Sequence, residues 1–267
     1  MKRNTNILTD DSRGVVPAVG QVILLSLIIG TTITASAAAV TIYNSQQAAI
    51  QDDVMVDAVS EYESQVETTA VTAISRNATI ELPAGSTRVG QSNTTITFND
   101  GTGSGGLTHT ITTDDIEFET TESTLVYTGG LVGQRTPRGV QIIEPLDQTS
   151  RRDSNTDSMY RVRIINATVT QQRALSYPIS RDIVFAIAPG QTFPRSSSFE
   201  TTGSTTATVT IESQHPDIWV QYLQNHPGFS SVSRSETTVT ANVSTDTTIQ
   251  VSSISSRTAI LDDPPPE

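Results

Sequence analysis

Residues 12–43 read SRGVVPAVGQVILLSLIIGTTITASAAAVTIY, and this stretch decides how the rest of the chain is organised. No charged residue occurs from Val15 to Tyr43. Because an α-helix rises about 1.5 Å per residue, about 20 such residues cross a hydrocarbon core of about 30 Å. The stretch therefore predicts a membrane-spanning helix over residues 15–43.

A short polar leader, residues 1–14, precedes the apolar stretch. Its basic residues, Lys2, Arg3 and Arg13, slightly outnumber its acidic ones. Positive charge before an apolar helix favours keeping that end in the cytoplasm. The chain after the helix is therefore expected to lie outside the cell membrane.

The junction between leader and apolar stretch reads RGVVPAVG at residues 13–20. This run resembles the leader of archaeal type IV pilins and archaellin-like proteins. The resemblance implies that a prepilin peptidase cuts between Gly14 and Val15, and that the freed helix packs against other pilin-like subunits. Val19 stands where bacterial pilins carry a glutamate, which fits the archaeal branch. The resemblance covers residues 1–45.

Two other interpretations of this region remain open. The stretch could serve as a plain signal anchor that never assembles. It could also be a secretory signal, because Ala35-Ser36-Ala37 fits the small-x-small rule of signal peptidase. The apolar run is, however, longer than the usual signal core of about 7–15 residues.

Residues 44–75 predict an amphipathic continuation of the helix. Apolar residues recur at every fourth position and acidic residues lie between them. The apolar set is Ile50, Val54, Ala58, Tyr62, Val66 and Ala70, and Met55, Val59 and Ala73 widen the stripe. This stripe is expected to pack on the outer domain; the alternative is a free amphipathic stalk.

Residues 80–261 change to short alternating segments separated by turns, which predict a β-rich extracytoplasmic domain. The expected elements are a hairpin of residues 94–98 and 108–112, a central strand over 182–188, one short helix between His215 and Gly228, and a closing hairpin of 237–243 and 247–254. The expected fold class is α+β: a long N-terminal helix followed by an antiparallel, sandwich-like domain. Residues 262–267, DDPPPE, predict a disordered acidic tail.

The composition narrows the classes of function. The chain has no cysteine, which excludes disulfides and thiolate chemistry, and its formal net charge is −12. Lys2 is the only lysine. An acidic surface almost free of lysine is typical of haloarchaeal proteins; the alternative explanation of the missing lysines is a GC-rich genome, which favours arginine codons. The acidic surface argues against nucleic-acid binding, which needs a basic face.

Candidate chemistry is sparse. Asp115, Glu117 and Glu119 alternate with apolar residues and share one strand face, which suggests a glycosidase or calcium site, but a solvated acidic face is favoured. His215 and His226 bracket the short helix, too far apart for one zinc ion. We find no catalytic motif, and we expect no enzyme activity, no metal site and no cofactor.

Four N-x-[ST] sequons fall in the predicted outer domain and are candidate glycosylation sites. Their asparagines are Asn77, Asn93, Asn166 and Asn242.

Three functions from different classes compete. The first is a pilin-like subunit or minor pilin, anchored and assembled through its N-terminal helix, that displays its β-domain for adhesion or surface contact. The second is a non-polymerising, single-pass envelope or ligand-binding protein. The third is a secreted enzyme. A mature chain that starts at Val15 would favour the first.

Overall fold

The computed structural model describes residues 52–82, 87–102, 106–120, 122–146, 148–152, 158–170, 175–177, 181–190, 195–200 and 206–261. The chain divides into two compact units, Met1–Ile50 and Gln51–Glu267. The fold below is that of the second unit. The leader, the apolar stretch at 15–43 and the acidic tail at 262–267 lie outside the described residues.

The α+β fold class predicted from the sequence is wrong. The described residues form mostly antiparallel β-structure with two helices, α1 over residues 52–72 and the short α2 at Pro216–Asn225, and no long N-terminal helix is seen in them. None of the helices in the described part of the chain combines the length and apolar character needed to cross a membrane. The β-structure dominates because Thr, Ser, Val and Ile, which mostly suit pleated surfaces, fill the sequence after α1.

Helix α1 packs its predicted apolar stripe against the sheets. Its fully buried residues are Met55, Val59, Tyr62, Val66 and Thr69, and all but Thr69 belong to the predicted set. This spacing alternates between four and three residues and so follows the 3.6-residue period. A row with every fourth residue drifts around the helix, which is why Val54, also predicted in the stripe, is 41% exposed.

The strands form two sheets in the described residues. The six-stranded sheet contains β1 (Arg76–Leu82), β7 (Gln148–Arg152), β8 (Ser158–Val169), β10 (Arg181–Pro189), β11 (Arg195–Glu200) and β15 (Thr247–Leu261). Its order is β1-β10-β15-β8-β7, with β11 also paired to β15. All these pairs are antiparallel except β8 with β15, which run parallel.

The nine-stranded sheet contains β2 (Thr87–Asn99), β3 (Thr108–Glu119), β4 (Thr124–Thr128), β5 (Leu131–Thr136), β6 (Gly139–Glu144), β9 (Leu175–Tyr177), β12 (Thr208–Ser213), β13 (Phe229–Ser235) and β14 (Thr238–Val243). Its order is β13-β14-β12-β2-β3-β4-β5-β6, with β9 also paired to β2. Every one of these pairs is antiparallel.

Two hydrophobic cores lie along the long strands. The first core contains Trp219 and other residues of α2, and the second contains the buried stripe of α1. Strand β8 shows how one strand serves both cores: Ile164 belongs to the first and its neighbour Ile165 to the second. Because neighbouring residues of a strand point to opposite faces, the buried face of β8 switches between these two positions.

The strand predictions had mixed outcomes. The hairpin of β2 and β3 is confirmed, with Thr97 opposite Thr110, and β10 is a central strand between β1 and β15. The predicted closing hairpin is wrong. Strand β14 pairs with β12 and β13, whereas β15 joins the other sheet. Alternation shows that a segment is a half-buried strand, but it does not name the strand's partner.

Candidate functional site

The candidate site begins with two carboxylates on one face of β3. Asp115 and Glu117 are two residues apart, so their side chains point the same way. The start of α2 lies against this face, because Nε2 of His215 is 2.9 Å from Oε1 of Glu117. The predicted solvated acidic face is therefore wrong at Asp115, whose exposed fraction is 0%.

Asp115 is held by hydroxyl groups rather than by a basic residue. Its Oδ2 accepts hydrogen bonds from Oγ1 of Thr94 at 2.7 Å and from Oγ of Ser92 at 3.2 Å. Burial raises the pKa of Asp115 to about 6, although the hydroxyl hydrogen bonds oppose the shift. The loss of water around the ionised carboxylate is the dominant cause.

A chain of short contacts connects Asp115 to the beginning of α2. Oγ1 of Thr94 lies 2.8 Å from Oγ of Ser213, and the backbone N–H of His215 donates to Oγ of Ser213 at 3.1 Å. Helix α2 follows at once, with Pro216 in its first turn, where a missing N–H costs little. The local sequence thus places the ring of His215 beside β3.

Glu117 differs from Asp115 in its electrostatics. The hydrogen bond from His215 lowers the pKa of Glu117, while partial burial opposes the shift. One strand face therefore carries a carboxylate with a raised pKa beside one with a lowered pKa, the pattern found in acid–base pairs of enzymes.

An ion pair completes the network. Arg135 donates from Nε to Oδ2 of Asp217 at 2.7 Å and from a terminal nitrogen to Oδ1 at 2.6 Å, a two-pronged geometry. The same terminal nitrogen lies 3.4 Å from Nδ1 of His215. Since an arginine nitrogen can only donate, Nδ1 of His215 accepts and its Nε2 carries the proton that bonds Glu117. Burial disfavours ionisation of Asp217, but Arg135 outweighs it and lowers the pKa of Asp217.

The contacts in this network indicate that it fixes α2 on the nine-stranded sheet rather than that it converts a substrate. Glu117, His215, Arg135 and Asp217 use their polar groups on one another. The side chain of His215 is 6% exposed, and only Arg135, at 37%, reaches far into solvent. No group of three His, Asp or Glu side chains within the described ranges could hold a metal ion.

Replacing either partner of the Glu117–His215 contact is expected to destabilise the protein. We expect Glu117→Gln and His215→Gln each to lower the free energy of unfolding by about 1–3 kcal/mol at pH 7, because a partly buried charged hydrogen bond is lost. The double variant should lose less than the sum, because both changes remove the same contact. Urea unfolding of all four chains measures this coupling.

The pH dependence of this contact has a definite sign. The pKa of Glu117 is lowered in the folded state, so its contribution is present above the ordinary glutamate pKa and is lost as pH falls through the folded value. The coupling energy between the two substitutions should therefore be largest at pH 7 and decrease as the pH falls below the ordinary glutamate pKa of 4.5. A coupling that grows as the pH falls would contradict the assignment.

Trp219 and the second histidine that brackets the short helix, His226, lie apart from this network. Trp219 packs in the first core, and His226 ends α2, where its Nδ1 accepts from the backbone N–H of Gly228 at 2.9 Å. Burial lowers the pKa of His226 to about 4. Gly14 and Val15 lie outside the described residues.

The four sequon asparagines lie in strands and differ in exposure. Asn77 in β1 and Asn93 in β2 are exposed, whereas Asn166 in β8 and Asn242 in β14 are half-buried. Nothing in the structure brings them into one site.

Sequence reasoning missed Arg135. It lies 82 positions from Asp217 along the chain, and no motif connects the two residues. Asp217 itself was recognisable as an acidic residue in the first turn of a helix, which the helix dipole favours. Its partner, Arg135, comes near it only because β5 is paired within the nine-stranded sheet.

Comparison with known proteins identifies a family. Residues 13–258 match the model of DUF7289, a family of unknown function. No curated protein and no solved structure matches the chain. The match spans nearly the whole sequence, so the chain belongs to the DUF7289 family.

Proposed function

We propose that this chain is a pilin-like subunit, or minor pilin, of an archaeal cell-surface filament. The apolar stretch at 15–43 holds it at the membrane and assembles with other pilin-like subunits, and the β-domain outside serves adhesion or surface contact. The observation that carries the proposal is the sequence RGVVPAVG at residues 13–20, followed directly by that uncharged stretch. The family match begins at Arg13, so the junction belongs to the part of the chain that the family shares.

The packing of α1 supports this proposal. Met55, Val59, Tyr62 and Val66 are fully buried in the second core. The first described element after the apolar stretch is thus built into the β-domain. We further propose that the two sheets pack face to face as a β-sandwich.

The proposal is tested by the N-terminus of the protein in its native envelope. We expect intact mass and N-terminal peptides to show a chain that starts at Val15. A Gly14→Val variant should keep its leader and be absent from surface filaments. The reason is that the peptidase cuts at the bond between residues 14 and 15 in the family that the leader resembles.

The matched control for this experiment is Gly30→Val, which makes the same change inside the apolar stretch and should leave the cleavage intact. A mature start at Met1, or one near Ala38, would contradict the proposal. A start at Met1 would support the non-polymerising anchored protein instead, and a start near Ala38 a secreted one.

A further inference from the structure

The sequon Asn77-Ala78-Thr79 lies in β1, at the end of the six-stranded sheet. Among the described residues, β1 pairs only with β10. Asn77 and Thr79 are two residues apart in a strand, so their side chains point to the same face, and both are exposed. Ala78, between them, points to the opposite face and is 3% exposed. The amide and the hydroxyl group that define this sequon therefore face solvent together on an edge strand.

The surface beside Asn77 is lined by small side chains. Asn77 lies opposite Ala186 of β10, and Ala186 lies opposite Ala259 of β15. Directly opposed residues of antiparallel strands project on the same face, so these three side chains form one row across the sheet. Together with Ala188 they line a cleft of about 480 Å³. A bulky group attached to the amide of Asn77 therefore has room to lie along the sheet.

The sequon of Asn242 has very different surroundings. Asn242 is half-buried in β14, between Thr208 of β12 and Ser230 of β13. The third residue of its sequon, Ser244, donates its hydroxyl group to the carbonyl oxygen of Pro227 at 3.2 Å. Both sequon side chains are thus partly covered, and the hydroxyl group already has a partner.

The two remaining sequons are each exposed at only one of the two side chains. Asn166 of β8 is half-buried, whereas Thr168 is exposed. Asn93 of β2 is exposed, whereas Thr95 is half-buried and its hydroxyl group lies 3.5 Å from that of Thr112. Of the four sequons, all within the described ranges, that of Asn77 alone exposes both of its side chains.

We propose that Asn77, and not the half-buried Asn242, carries an N-linked glycan. The donor is a lipid-phosphate-linked oligosaccharide. The amide nitrogen of Asn77 forms a bond to the anomeric carbon of the first sugar, the bond from that carbon to the phosphate breaks, the lipid phosphate leaves with the electron pair, and one amide proton passes to solvent. Because such modification needs a surface acceptor outside the membrane, the inference rests on the external β-domain of the proposed function.

A glycan at this position has a physical consequence for the sheet. An edge strand presents unpaired backbone groups to which a strand of another chain can pair. A bulky, hydrated group on β1 hinders such pairing, and it adds hydration without adding charge.

Glycopeptide mapping and intact mass of the protein from its native envelope test the proposal. We expect peptides that contain Asn77 to carry an added glycan mass. In the same cells, Thr79→Val should remove this mass, because the hydroxyl group of the sequon is lost, and Thr79→Ser, which keeps the hydroxyl group, should retain it. An unmodified Asn77 in the parent chain, or a glycan that persists in Thr79→Val, overturns the proposal.

The matched control is Asn242→Gln, which removes the half-buried sequon asparagine and should leave the total glycan mass unchanged. A lower glycan mass in this variant would overturn the assignment by exposure. The same spectra separate the inference from the proposed function. A chain that starts at Val15 with Asn77 unmodified contradicts the glycan alone, whereas a glycan on Asn77 of a chain that starts at Met1 contradicts the filament alone.

Discussion

Replacing Tyr62 by alanine is expected to lower the free energy of unfolding by about 3–5 kcal/mol, the largest effect of any substitution proposed for this protein. The ring is fully buried and lies 5.2 Å from the ring of Tyr127 and 4.9 Å from that of Phe185, measured between centroids. Its removal leaves a cavity between α1 and the sheets, which rigid strands cannot fill.

The hydroxyl group of Tyr62 provides a matched control. It lies 3.0 Å from Oγ1 of Thr258 in the second core. Tyr62→Phe keeps the ring and removes only this hydrogen bond, so we expect a loss of about 1 kcal/mol. Val71→Ala, at a side chain that is 58% exposed, should change stability by less than about 0.5 kcal/mol.

Urea unfolding followed by circular dichroism measures all three variants. If Tyr62→Ala cost no more than Tyr62→Phe, the ring would not be packed between α1 and the sheets, and the described position of α1 would be wrong. A fully unfolded Tyr62→Ala chain would still agree with the prediction, and Tyr62→Phe then supplies the measurable value.

The second large effect has the opposite sign: Asp115→Asn is expected to stabilise the protein above neutral pH. The folded pKa of Asp115 is about 6, raised from 3.8 by burial. The folded state therefore binds the proton more tightly than the unfolded state, and stability falls as pH rises from about 4 to about 6. At 1.36 kcal/mol per pKa unit, the ionised carboxylate costs about 3 kcal/mol at pH 8.

Asparagine keeps the shape of the side chain and cannot ionise. Its carbonyl oxygen can still accept from Thr94, and its amide can donate to Thr128, whose hydroxyl approaches the carboxylate. We therefore expect a gain of about 2–3 kcal/mol at pH 8 and almost none at pH 4.

Unfolding midpoints at both pH values, at constant ionic strength, check this expectation for Asp115. The control Asp57→Asn removes an exposed charge from α1 and measures the general effect of making the acidic chain less negative. A variant that is less stable than the parent at pH 8 would show that the ionised form of Asp115 is the stabilising one, contrary to the inference from burial.

The short helix shows what could be foreseen from sequence. In the sequence, Pro216 and Asp217 indicate where the helix begins, and Pro227-Gly228 indicates where it ends. In the structure the helix runs from Pro216 to Asn225. The Gly129-Gly130 pair is an equally clear local signal for a turn. Both glycines have positive φ, 63° and 96°, which the tight turn between β4 and β5 requires. Signals of this kind act within a few residues and so survive in any tertiary context.

The candidate site could not be foreseen in the same way. The alternation of Asp115, Glu117 and Glu119 showed that their side chains share a face, but not that α2 covers it. The partners come from β2, β5 and β12, which lie far apart in sequence. Burial of Asp115 follows from that long-range packing, because no local pattern distinguishes a solvated carboxylate from a covered one.

The sequence by itself determined the uncharged stretch at 15–43, the change from helical to strand periodicity after α1, and the position of α2. These follow from local charge, period and turn chemistry, which depend on neighbours along the chain. Only the tertiary structure decided that β14 and β15 enter different sheets and that β8 switches its buried face between Ile164 and Ile165. Strand pairing and face choice depend on backbone hydrogen bonds between distant segments, and every alternating segment offers the same backbone groups to each possible partner.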